Sequence, residues 1–418
     1  MRRRTETLIV VVAAMASIVL IWAGFGNSWH QDLSALYFAA RSYGLGQTEL
    51  IYLAPDRFFG AVASPEWQDM ALQLGHGDEL VLPYVYAPLW AAVLAPLAVR
   101  LDPIAFYNLV LVVHIGFFLW SILLARRIAA QSSAPLWAWF GIAALIALVS
   151  TPFLNAFWHN QPQITVTFLV LLAFERYRAG AWRMAGIALG LAAAIKITPA
   201  ILAVIFLMDR HWRAAGVAAA TGLGLLVLSL AVAGLPLHIA FWEQLQRASA
   251  YMVLTPLNLG LEAVIARWGE VISGGLGSGM EDKALTVVES GGWGGLLSMA
   301  VLILGLALIW RVTRGAGQPV YPRLLALWAL VILCGPLAWN HYLIGPLFLL
   351  PGVLWHLPRR LAAPALVMIV LAVSLPLQVV LMAGQTDPAW LMSLGAASLC
   401  AMFWLAILSV SPAVSPGK

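Results

Sequence analysis

Apolar runs long enough to cross a bilayer constrain this chain more than any other feature. Residues 8–24, 216–234 and 361–383 approach the ~20 residues that span a ~30 Å hydrocarbon core as a helix. The sequence is 62% hydrophobic and 10% charged, against roughly a quarter charged in an ordinary soluble domain. The expected fold class is therefore all-α: a polytopic membrane protein forming a single integral membrane domain over residues 1–418. The runs are continuous rather than alternating, which excludes a β-barrel. Arg2, Arg3 and Arg4 precede the first run, which is too long for a signal peptide and lacks a small-residue cleavage site. It is expected to stay as a signal-anchor helix. Cys334 and Cys400 both lie in apolar runs and read as packing residues.

The net charge of +5 does not point to nucleic acid, because the charges are sorted by loop. Arg126, Arg127, Arg176, Arg178, Arg183, Arg210, Arg213, Arg311, Arg314, Arg323, Arg359 and Arg360 fall in loops that the positive-inside bias assigns to the cytoplasm. Almost every acidic residue then lies on the other side. About twelve transmembrane helices follow, with both termini cytoplasmic in an inner (plasma) membrane. Residues 27–86 form a first external loop with seven acidic residues, too long for a simple connection, and 235–292 a second with six. Residues 87–99 are too short for a span, and counting them as one would invert every later loop, so they are expected to be an interfacial or re-entrant helix opened by Pro88.

Three polar groups fall near the membrane on the external side. The first is the stretch 29–41, where Leu33, Leu36, Tyr37 and Ala40 share one helical face, so that the helix would lie along the membrane surface with Asp32 at its start. An Asp before such a run is either an N-cap or a carboxylate placed beside the bilayer for chemistry. The second group is His159, Asn160, Gln161 and Gln163, with Lys196 at the next external turn. The segments flanking Lys196, 182–195 and 197–208, reach only ~21 and ~18 Å at 1.5 Å per residue. Lys196 is therefore expected below the outer surface, where an ammonium either binds an anion such as a lipid phosphate or snorkels to the headgroups. The third group is Trp339, Asn340, His341 and Tyr342, which fits either a site or an interfacial aromatic belt. His114, mid-helix, is expected to hydrogen-bond between helices. Zinc spacing, a nucleophile elbow, a Walker loop and a Rossmann fingerprint are all missing from the sequence, so no metal or cofactor is expected.

At these residues the chain resembles the polyprenyl-phosphate-mannose-dependent mannosyltransferases of glycosyltransferase family 87. The resemblance rests on Asp32 with Tyr37, the Tyr84–Val85–Tyr86–Ala87–Pro88–Leu89 segment and Gln161. Lys196–Ile197–Thr198–Pro199, Arg210 with Trp212 and Arg213, Asn258, and Trp339–Asn340–His341 complete it. Two departures stand out: Asn160–Gln161–Pro162–Gln163 where the family tends to Gly-Gln-x-Asn, and Ala87 before Pro88 in the Tyr-Pro-Pro pattern.

The resemblance implies a GT-C-like membrane architecture and a donor that is a lipid monophosphate sugar, without a nucleotide. It implies Asp32 as general base, with His341 catalytic or orienting the acceptor. Lys196, with Arg41 or Arg267, would hold the departing phosphate. Tyr37, Tyr86, His159, Gln161, Gln163, Asn258, Trp339 and Asn340 are the expected substrate-binding residues. The expected partners are a polyprenyl-phosphate sugar, a lipid or glycolipid acceptor and membrane lipids. The alternative is a polytopic transporter or lipid flippase, which would also carry ionisable residues through the inner half of the bundle.

Overall fold

The computed structural model describes residues 2–53, 63–129, 134–274, 286–290, 292–314, 319–384 and 386–410. It is a helical protein. Among the described residues five helices are long and apolar enough to cross a membrane. These are α1 (Arg2–Phe25), α5 (Pro103–Ala129), α11 (Trp212–Ser249), α13 (Trp293–Thr313) and α19 (Pro388–Leu408). Shorter apolar helices pack among them: α6 (Leu136–Val149), α8 (Gln163–Arg178), α9 (Trp182–Ile195) and α14 (Val320–Leu333). α9 lies against α11 through Gly186 and Gly190. A Cβ on Gly190 would meet the Ala218 carbonyl oxygen at 2.7 Å, so only glycine permits this approach.

Several apolar runs are interrupted inside the bundle. α6 stops at Ser150 and is followed by the short α7 (Thr151–Trp158). The 361–383 run breaks at Ser374, between α17 (Arg359–Ala372) and α18 (Leu375–Ala383). The two breaks meet: Ser150 and Ser374 form an antiparallel bridge, and the Thr151 amide donates to the Val373 carbonyl at 2.9 Å. Each break thus satisfies backbone groups that the other frees, as burial in an apolar bundle requires.

The first long loop makes a second core. It contains α2 (Gln31–Gly44), α3 (Pro65–Gln73) and the extended segment 80–87, which leads into α4 (Pro88–Ala98). Of the first loop, residues 54–62 lie outside the described residues. α2 does not expose a polar face along the membrane surface as its pattern predicts. Residues 33–40 are all buried, and Ser42 too, because the small Ser34, Ala35, Ala39 and Ser42 let chain pack on both sides. Phe38 meets Trp67 of α3 at 6.0 Å, and Trp67 Nε1 donates to Ser42 Oγ at 3.0 Å. Burying Leu33 and Phe38 is worth about 1.5–3 kcal/mol each, and Tyr37 packs edge-on against Phe106 and Tyr107 at the start of α5.

The second long loop differs from an all-helical reading. Residue 235 lies at a kink in α11, where Gly234 takes φ 77°, and the helix resumes through Ser249. Tyr251–Leu254 (β1) then pairs antiparallel with Thr286–Glu289 (β2). Both are β-branched or aromatic-rich tetrapeptides that favour a pleated ribbon. The amphipathic patch near Leu261 is α12 (Leu261–Ser273), closed by Gly274 in the left-handed region, while residues 275–285 lie outside the described residues.

α8 runs from Gln163 to Arg178, about 24 Å, and so separates two ends of the molecule chemically. Its far end carries Glu175, ion-paired with Arg176 and Arg127, and Tyr177, whose hydroxyl donates to Asp209 at 2.8 Å. Asp209 in turn accepts from Arg323 of α14. The near end carries the polar cluster described next.

Candidate active site

The cluster forms where the first-loop cap meets the bundle. Asp32 is the second residue of α2. The N-cap is His30, so Asp32 does not cap the helix, and its carboxylate points instead to the α7–α8 turn. There Gln161 Nε2 donates to Asp32 Oδ2. His159 Nδ1 lies 3.5 Å from Asp32 Oδ1, within ion-pair range but without hydrogen-bond geometry. About a quarter of the Asp32 side chain (25%) reaches solvent. Desolvation by the surrounding protein still dominates and raises its pKa above the ordinary carboxylate value, opposed by the charges of His159 and Lys196.

Lys196 follows the last turn of α9 in an extended conformation, before the 3₁₀ turn Thr198–Ala203. Trp90 of α4 fixes this point by donating its indole N–H to the Ala194 carbonyl at 3.0 Å. The ammonium sits 4.7 Å from the centroid of the Tyr342 ring, a cation–π distance. Lys196, Gln163, Thr198 and Tyr342 line a narrow groove together with Val166, Pro199, Leu202, Trp328, Val331 and Ile332. The lining is thus part polar and part apolar, with one cation in it.

Trp339, Asn340 and His341 complete the near end. Asn258 positions them: its Oδ1 accepts from the amides of Gly260 and Ala338, its Nδ2 donates to the Val253 carbonyl, and its backbone bridges to Trp339. Every polar atom of the Asn258 side chain is spent on backbone. Asn155 of α7 donates to Asn340 Oδ1 at 2.7 Å. His341 stacks parallel to Trp339 at 6.5 Å and packs edge-on to Tyr342 at 4.9 Å. It lies close enough to Lys196 and His159 for their charges to bear on it. Tyr86 is likewise within electrostatic reach of Asp32 and Tyr342.

Among the described residues, five buried polar atoms here have no hydrogen-bond partner: His159 Nδ1, Gln161 Oε1, Asn340 Nδ2 and both ring nitrogens of His341. Leaving such atoms unpaired costs about 1–3 kcal/mol each, and their grouping leaves hydrogen-bonding capacity that a polar ligand can take up.

Three expected site residues are engaged elsewhere. Tyr37 donates its hydroxyl to the Leu101 carbonyl at 2.9 Å, and Arg41 donates to Ala98 O at 3.0 Å, so both tie α2 to the α4–α5 turn. Arg267 is fully buried and forms a two-pronged pair with Asp387, with both contacts at 3.1 Å. That pair joins α12 to the start of α19, and the charges bearing on Asp32 are those of His159 and Lys196. Conversely, Tyr342 and Asn160, which the sequence places in the polar groups without a catalytic or binding role, both help to build the site. Tyr342 had a signal in its place beside His341. Asn160 had one in preceding Gln-Pro, as asparagine tolerates the left-handed turn conformation it adopts (φ 47°).

Comparison with known proteins extends this picture. The chain is 28% identical over 288 residues to a polyprenol-phosphate-mannose-dependent alpha-(1-2)-phosphatidylinositol pentamannoside mannosyltransferase from Mycolicibacterium smegmatis. The alignment covers 68% of this chain and 63% of that relative, so the chain spans less than two thirds of the relative's length. Residues 84–339 match glycosyltransferase family 87. That stretch runs from the Tyr84–Leu89 segment through the α7–α8 turn and Lys196 to Trp339, taking in most walls of the cluster; the chain belongs to glycosyltransferase family 87.

Proposed function

We propose that the chain is a membrane glycosyltransferase moving a hexose, mannose by analogy with its relative, from a polyprenyl-phosphate donor to a hydroxyl of a lipid or glycolipid acceptor. The observation that carries this reading is one convergence: a desolvated carboxylate, an ammonium in a groove of mixed polar and apolar lining, and buried polar atoms lacking hydrogen-bond partners among the described residues. In this reading the donor's phosphate sits on Lys196 and its first isoprene units follow the apolar side chains beside it, such as Val166, Leu202 and Ile332. The unpartnered atoms of Gln161, Asn340 and His341 suit sugar hydroxyls.

The chemistry follows from these positions. Asp32 takes the proton of the acceptor hydroxyl as its oxygen attacks the anomeric carbon. The bond from that carbon to the phosphate oxygen breaks, and its electron pair leaves with the phosphate, whose charge Lys196 meets. One displacement inverts the anomeric centre, so a β-linked donor gives an α-linked product. His341 orients the acceptor or touches phosphate. In membranes supplied with one labelled donor at a time, transfer is expected from polyprenyl-phosphate-mannose and not from a nucleotide-linked mannose. Transfer from the nucleotide sugar alone, in membranes depleted of polyprenyl phosphate, would refute the donor assignment.

We further propose about twelve crossings in a GT-C-like arrangement, both termini cytoplasmic and the Asp32 end extracytoplasmic. The arginine-rich far end of α8 supports this sidedness. In a variant lacking Cys334 and Cys400, a cysteine at Glu66 is expected to react with an impermeant maleimide on intact cells, and one at Arg314 only after lysis. The reverse pattern would overturn the sidedness.

A further inference from the structure

The two side chains that address Asp32, His159 and Gln161, flank a residue whose own side-chain hydrogen bonds run away from the carboxylate. Asn160 is fully buried, takes φ 47°, and spends both ends of its amide on α5. Its Oδ1 lies 2.7 Å from His114 Nδ1, and its Nδ2 donates to the Tyr107 carbonyl at 2.9 Å. The carbonyl at the second contact fixes which end of the amide is Nδ2. An amide oxygen only accepts, so His114 Nδ1 carries the proton in this pair. His114 Nε2, 3.1 Å from Thr165 Oγ1, then accepts from that hydroxyl. α5 and the first turn of α8 are thereby bolted to the single residue between His159 and Gln161.

We propose that Asn160 is a positioning residue for the base: clamped between His114 and the Tyr107 carbonyl, it holds the α7–α8 turn so that Gln161 and His159 face the Asp32 carboxylate. This rests on the reading of Asp32 as general base. Without the clamp the left-handed turn has only its backbone to define it. Gln161 loses its fixed aim, and a displacement of about 1 Å at a reacting group can cost as much as 10²-fold. The clamp also has an electrostatic consequence. The Gln161 N–H stabilises the ionised form of Asp32, so losing it lets the carboxyl hold its proton to higher pH. The other titratable groups facing Asp32 are His159, Lys196, Tyr86 and Tyr342, and none of them changes in the variants below.

Glycine separates the side chain from the backbone. Asn160→Gly keeps the left-handed conformation without strain and deletes only the clamp. It is expected to lower kcat about 10- to 100-fold with the donor KM within about threefold of wild type, and to move the acid limb of the rate profile to higher pH. His114→Leu removes the other half of the clamp and should shift the same limb the same way. His114→Gln retains an N–H for Asn160 and should restore most of the rate. Wild-type kcat and an unmoved acid limb in Asn160→Gly would overturn the proposal. Equal loss in His114→Leu and His114→Gln with an unmoved limb would do the same. Asp32→Asn, run alongside, keeps the two readings apart: if it is inactive while Asn160→Gly is normal, the base stands and the clamp falls. Full activity in Asp32→Asn removes the base itself.

Discussion

Asp32→Asn is expected to lower sugar transfer about 10²–10⁴-fold, the usual range for losing acid–base assistance, while donor binding and the melting temperature stay near wild type. The substitution is close to isosteric. Its amide oxygen can still accept from Gln161, so the geometry of the α7–α8 turn is kept, but it cannot take a proton. A stability role through capping is excluded because His30 occupies the cap and Asp32 makes no cap hydrogen bond. The pH dependence has a defined sign. Desolvation is the largest influence on the carboxyl and raises its pKa, with His159 and Lys196 pulling it back. The base works only when ionised. Transfer is therefore present above that raised pKa and lost as pH falls through it, with the acid limb above the value of about 4 expected of an exposed carboxylate. Asp32→Glu keeps the proton acceptor but moves it by a methylene, and should fall between. The measurement is transfer from a radiolabelled polyprenyl-phosphate sugar in membranes, with donor binding and a thermal melt on the same preparations. Wild-type turnover by a well-folded Asp32→Asn would remove this residue from the chemistry, and His341 would become the candidate base.

How much of this was legible beforehand depended on whether a residue's partner was near in sequence or implied by sidedness. In a chain this apolar, each polar residue near the outer surface stands out, and Asp32, His159, Gln161, Lys196 and His341 are brought together in the structure. Their residue types do not say how they are held. The Trp90 indole on the Ala194 carbonyl, and Asn155 on Asn340, join segments more than a hundred residues apart. Arg267 shows the same limit in reverse. An arginine in an external loop invites a phosphate-binding reading, but its carboxylate partner, Asp387, lies 120 residues further on. Helix periodicity fared likewise. The stripe on α2 correctly marks a helix, yet its polar side is covered by α3 and the 80–87 segment, because small serines and alanines pack as tightly as apolar residues. β1 and β2 are only four residues each, too short for alternation to stand out within a long loop.

Lys196→Met is expected to weaken binding of polyprenyl phosphate itself, measured without any sugar, by about 10²-fold. This corresponds to losing one buried charge-assisted contact to the phosphate. Methionine preserves the length and apolar volume of the stem, so the groove beside Tyr342 and Trp328 should stay filled and the fold intact. Lys196→Arg restores the charge but carries a planar fork where a compact ammonium sat over the Tyr342 ring, and should recover only part of the affinity. A second readout comes from the coupling to Asp32. Lys196 is one of the two charges that oppose desolvation of that carboxyl. Its removal raises the Asp32 pKa further and moves the acid limb of transfer to higher pH, even at saturating donor. A lysine that merely anchored the chain at the headgroups would show neither effect, since water and lipid phosphates would screen it from a carboxylate in the cap. Wild-type affinity for polyprenyl phosphate in Lys196→Met would therefore end its assignment to the donor. An unmoved acid limb would further show that its charge does not reach Asp32 in the membrane.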